Sequence, residues 1–207
     1  MELSGNDVLK SLRVIRWDVA ANTYGNNHAT LIGLLVEWWV SLEPGTHRAV
    51  ESGPTHGRFP RGLGGEKCDA VFCENYTAGG VLEVEGLRIG RTIEKIGKFL
   101  DSKLDDLKTL RFAVALLYPA TPLRGRGCER NLIPCWDEKV RLLVEGVSRK
   151  HCGKPIIVVT LDKVYERQVE GIRRRTEYYQ SKLKLVRGFV YEGGKEVASD
   201  TLWPSRV

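Results

Sequence analysis

Two short apolar runs that carry acids constrain this chain more than any other feature. Lys67-Cys68-Asp69-Ala70-Val71-Phe72-Cys73 is followed by a polar turn and then by Gly80-Val81-Leu82-Glu83-Val84-Glu85-Gly86. The pattern predicts two strands of a hairpin. Side chains alternate across a strand, so Glu83 and Glu85 share one face, and Leu82 and Val84 share the other. Asp69 on the partner strand brings a third carboxylate towards the same place. Like charges in an apolar setting are unfavourable without a counter-ion. A divalent cation is the simplest partner for three carboxylates.

The rest of the sequence bounds the setting. A chain of 207 residues fits one domain with a substantial core. The formal charge of +6 and a pI near 9.1 allow an anionic partner such as nucleic acid without requiring one. The first ten residues are mixed polar and lack the apolar core of a signal peptide. The longest apolar run, residues 31–40, is broken by Glu37 and is too short to span a membrane. A cytoplasmic protein with no membrane partner is expected. Cys68, Cys73, Cys128, Cys135 and Cys152 follow no zinc spacing. Free thiols are the simplest reading, with a Cys128–Cys135 disulfide as the alternative. One methionine and two glutamines, Gln168 and Gln180, match the depletion seen in heat-adapted proteins and suggest a thermophilic source.

Periodicity divides the chain into alternating elements. The alternation around Val14-Ile15-Arg16-Trp17-Asp18-Val19 predicts a short strand or an irregular segment. Leu31, Leu34, Leu35, Trp38 and Leu42 recur at helical spacing and predict a helix over 28–42, whose pattern can resume through Val50. Residues 53–65 are rich in Gly and Pro and predict a loop, with a short strand around Arg58-Phe59. After the hairpin, Ile93, Ile96, Phe99, Leu100 and Leu104 stripe a helix over 90–104. Residues 110–118 and 155–161 read as strands buried on both faces, with an amphipathic helix over 136–150 between them. Residues 163–186 read as a long basic helix, and the last twenty as one short strand, Phe189-Val190-Tyr191, with an irregular tail. Helices between apolar strands imply crossovers, hence an α/β fold whose central mixed sheet is covered by helices.

With the acids placed on that order, the chain resembles the PD-(D/E)XK nuclease superfamily, whose restriction-endonuclease-like core runs helix, three-stranded meander, helix, strand. Asp69 matches the first acid of the motif, with Cys68 in the place of the proline, and Glu83 matches the second. Glu85 stands where the lysine is expected. The resemblance implies one nuclease-like domain over residues 1–207. Its core covers about 27–161, and a basic helical and C-terminal extension covers 162–207. It also implies a Mg2+- or Mn2+-dependent endonuclease acting on DNA, with Asp69, Glu83 and Glu85 as metal ligands and catalytic groups. A homodimer is the assembly it brings by analogy. The chemistry agrees, because a carboxylate-held cation lowers the pKa of a bound water and neutralises phosphate charge. Glu85 can also act as a general base.

Further candidates follow from the same comparison. Relatives recruit the missing lysine from the helix after the acidic strand, where Lys95 is preferred over Lys98. The alternative is that both lysines lie on a solvated face. Glu37 interrupts an apolar helix beside Trp38 and Trp39, and serves either as a further catalytic acid or as a boundary residue facing water. His28 reads as a capping or surface residue, with a place facing the same site from the helix start as the alternative. Arg173, Arg174, Arg175, Lys182 and Lys184, interleaved with Tyr178 and Tyr179, read as a surface that tracks a nucleic-acid backbone. Their alternative is a solvated helix laced with pairs such as Glu170–Arg174. Arg58, Arg61, Arg124 and Arg126 add to the same basic funnel. A catalytically silent nucleic-acid-binding or assembly module of the same fold is the competing function, favoured by the absent motif lysine. No P-loop, nucleophile elbow or dinucleotide fingerprint is present.

Overall fold

The acid-bearing hairpin closes through a turn tighter than its sequence suggests. Only Asn75 and Tyr76 connect the strands, with φ of 47° and 68°. Positive φ at both central residues matches the right-handed twist of a two-residue hairpin. A computed structural model describes residues 4–18, 27–50, 67–86, 88–103, 107–118, 138–151, 153–168 and 178–204. Its helices are α1 (Gly5–Ser11), α2 (Asn27–Leu42), α3 (Ile89–Leu100) and α4 (Glu138–Lys150). Its strands are β1 (His47–Val50), β2 (Ala70–Glu74), β3 (Thr77–Glu85), β4 (Phe112–Leu117), β5 (Ile156–Gln168), β6 (Tyr178–Glu192) and β7 (Lys195–Trp203).

The seven strands form one mixed sheet in chain order, β1 to β7. β3, β4 and β5 run parallel, joined through α3 and α4. Every other neighbouring pair is antiparallel. Alternation along the strands sends side chains into two apolar layers. Phe72, Leu82, Val84, Val114 and Leu116 pack with α1 and α2 on one face. Val71, Val81, Ala113, Ala115 and Leu117 pack with α3 and α4 on the other. Trp39 is fully buried, donates its Nε1 proton to the Cys73 carbonyl at 3.2 Å, and stacks on His47 with centroids 4.1 Å apart. Among the described residues, no helix is long and apolar enough to cross a membrane.

Three sequence expectations are corrected. The basic stretch 163–186 is not a helix: residues 163–168 belong to β5 and 178–186 to β6, and the two pair antiparallel. Lys182-Leu183-Lys184-Leu185 alternates with period two, which suits a strand with one apolar face, and Leu183 is buried. The tail is not irregular: Gly193 and Gly194, with φ of 58° and 83°, turn the chain into β7. Around Val14 the irregular alternative holds: the backbone forms a 3-10 turn at Leu12–Val14, leaving Val14 67% exposed. Residues 47–50 pair with β2 as an edge strand rather than extending the helix. The short strand expected around Arg58-Phe59 lies outside the described residues.

Candidate active site

The acids meet at the C-terminal end of β3, where α2 begins on one face and α3 on the other. Asp69 stands immediately before β2, its backbone N–H donating to the Leu82 carbonyl at 3.0 Å. Its Oδ2 accepts a 2.7 Å hydrogen bond from the Val84 amide. That bond reaches across the hairpin and fixes the carboxylate one residue from Glu83. From the first turn of α2, His28 places Nε2 3.0 Å from the Val84 carbonyl oxygen and 3.5 Å from Asp69 Oδ2. Both neighbours are acceptors, so Nε2 carries a proton.

Glu83 is 3% exposed, and its register partner on β4 is Ala115, so its side chain lies on the α3 face. Lys95, two turns into α3, places Nζ 2.7 Å from Glu83 Oε2. The other oxygen, Oε1, is buried without a hydrogen-bond partner. Burial pushes the Glu83 carboxyl up to about 8, and the charges of Asp69 and Glu85 add to that rise. Lys95 pulls the other way, through its hydrogen bond and its charge, but the cost of desolvation outweighs it.

Glu85 is half-buried, and its Oε1 accepts from the Gly86 amide at 2.8 Å. Its backbone carbonyl accepts from the Tyr118 amide at 3.1 Å, which brings the last residue of the β4 run to the acids. Burial raises the Tyr118 phenol above its ordinary range, with Glu85 and then Asp69 raising it further.

The structure therefore brings Asp69, Glu83, Glu85 and Lys95 together, with His28 and Tyr118 beside them. Glu37 is elsewhere: it is exposed on α2, because Leu31, Leu35, Trp38 and Trp39 occupy the face turned to the sheet. Lys98 is exposed one turn beyond Lys95. Arg173, Arg174 and Arg175 lie outside the described residues, as do Arg58, Arg61, Arg124, Arg126, Cys128, Cys135 and Cys152. Lys182 and Lys184 have their backbone in β6, with side chains outside the description. Cys68 and Cys73 are buried and form no disulfide among the described residues. His28 takes the alternative the sequence left open, facing the acids from the start of α2, whereas the sequence reading passed over Tyr118. The signal for Tyr118 was a hydroxyl ending an apolar strand one place from the acids.

Among the described residues, no three His, Cys, Asp or Glu side chains are gathered closely enough to hold a metal ion. The donor set still suits a hard cation. It offers carboxylate oxygens, and one of them, Glu83 Oε1, is buried and unpartnered. Cavities of about 490 Å3 beside β7 and about 530 Å3 beside β1 open at the sheet edges, and Asp69, Glu83 and Glu85 line neither. Compared with protein-family models, with curated proteins and with solved structures, the chain gives no match.

Proposed function

We propose that this chain is a metal-dependent nuclease that hydrolyses phosphodiester bonds of DNA, built on a restriction-endonuclease-like core. The observation that carries the reading is the Lys95–Glu83 contact of 2.7 Å beside an unpartnered Glu83 Oε1. It supplies a cation from the following helix where Glu85 replaces the motif lysine. The element order supports the same reading: α2, the meander β1–β3, α3, and β4 parallel to β3.

Asp69, Glu83 and Glu85 would hold Mg2+ or Mn2+. When bound, the ion supplies charge neutralisation and an acidified water. The Lys95 ammonium donates to the phosphate oxygens as negative charge builds on them. Glu85, which retains solvent access, orients the attacking water and accepts its proton. His28 engages the Val84 carbonyl through Nε2 and places that nitrogen 3.5 Å from Asp69 Oδ2, while the Val84 amide holds the carboxylate in place.

The test is cleavage of labelled DNA in Mg2+ or Mn2+. Asp69→Ala and Glu83→Ala should reduce cleavage to background. Lys95→Ala should slow it roughly 10²- to 10³-fold, the cost of removing one preorganised donor. A second reading is a catalytically silent DNA-binding module. It is favoured by the proton that burial keeps on Glu83 up to about 8 and by the absence of a gathered three-ligand set among the described residues. Tight DNA binding with no cleavage in either metal would select it.

A further inference from the structure

We propose that one side of α3 is a cationic track that holds the phosphate backbone of DNA and leads it to Glu83. The inference rests on the nuclease reading and adds residues that reading did not include, Arg88 and Arg91.

Arg88, Arg91, Lys95 and Lys98 follow one another at intervals of three, four and three residues. At 100° per residue they fall within about 80° of one another around the helix. The opposite side is apolar and buried through Ile89, Ile93, Ile96 and Leu100. Arg88, Arg91 and Lys98 are exposed. Lys95 anchors the row to the acids through Glu83 Oε2, at 2.7 Å. Its neighbours one turn away on either side, Arg91 and Lys98, therefore flank the site.

The two charges at the start of the row, Arg88 and Arg91, do not serve the helix. Asp and Glu stabilise the first turn of a helix, and cations there oppose its dipole. α3 begins with Arg88 as N-cap, without a side-chain capping bond, and has no acid in its first turn. α1, by contrast, carries a Ser4–Asp7 capping box. Neither Arg88 nor Arg91 makes a salt bridge or a side-chain hydrogen bond among the described residues. Glu94, exposed on the adjoining row, is the one acid of α3. Arg88 to Lys98 spans about 15 Å of helix axis. Along the axis of B-form DNA each strand carries a phosphate about every 3.4 Å, so a row of that length lies beside several phosphates at once. A repeating anion such as the DNA backbone is the partner whose charge complements the row.

The test is equilibrium binding of a short fluorescent DNA duplex to the full chain in chelator, across a salt series, with Mg2+-dependent cleavage followed in parallel. Arg88→Gln/Arg91→Gln should weaken binding about tenfold or more. It should also flatten the salt dependence of log K by about two, one for each lost phosphate contact. Lys139→Gln/Lys150→Gln, which removes exposed cations from α4, should leave both quantities unchanged. The arginine variant should melt no lower than the wild type. If it melts lower, Arg91→Gln alone, with a slope change of about one, decides the matter. Wild-type binding and cleavage, both unaffected by the arginine substitutions, would overturn the track and leave the nuclease reading standing. A wild-type chain that neither binds nor cleaves DNA would overturn both.

Discussion

Glu83 is held between two opposing influences. The apolar layer around it favours the neutral acid, while Lys95 at 2.7 Å favours the carboxylate. Burial prevails, and the folded group loses its proton near pH 8, against 4.5 for the ordinary side chain. Between those values the unfolded chain has released this proton and the folded one has kept it. Stability should therefore fall as pH rises from about 4.5 to about 8, and level off above. The upper limit of the slope is about 1.4 kcal/mol per pH unit. Glu83→Gln removes the titrating group and should cancel that part of the slope, so the variant gains on the wild type as pH rises. Urea denaturation in chelator at about pH 5 and about pH 9 checks this. Equal slopes for the two proteins would show that Glu83 titrates normally. The acids were legible in the sequence because charge inside an apolar strand demands an explanation. His28 was legible only as one of two alternatives, because its contact with Asp69 spans 41 positions of chain and depends on where α2 docks.

Within the sheet, Phe72, Gly80 and Phe112 stand in one row across β2, β3 and β4. The two phenyl rings lie with centroids 6.3 Å apart, across the space that a glycine leaves. A Cβ at position 80 would sit 2.5 Å from the Phe112 ring. Ring and strand cannot yield cheaply, so Gly80→Ala should cost about 1–3 kcal/mol, the usual penalty of overpacking. A lowered urea midpoint at unchanged slope is the expected result. Elements with one strong period were readable in advance: α2, α3, α4, the hairpin and β4 lie close to their expected positions. The β5–β6 arm was not. Charged residues and pairs such as Glu170–Arg174 satisfy helical spacing locally. What makes the arm a sheet is its partner strand, a long-range pairing that no window of neighbours contains. β7 was hidden for a related reason. It is an edge strand with exposed residues and only Leu202 buried, so it lacks the apolar run that announces β4.

Across the whole molecule, the two layers divide the chain by position. α1 and α2 cover one face of the sheet, and the crossovers α3 and α4 cover the other. β4 lies at the centre. All six of its residues are buried, and it has a parallel neighbour on each side. β1 and β7 close the two edges, each paired on one side only. A position like that of β4 cannot open unless both layers part. In heavy water its amides should retain protium longest, with lifetimes set by global unfolding, while β1 and β7 take up deuterium through fraying. Peptide-resolved mass spectrometry would reveal the gradient, and a β4 that labels as fast as the borders would contradict it. Because β3 is zipped to that slow centre, the carboxylates at its tip are moored to the most persistent part of the protein.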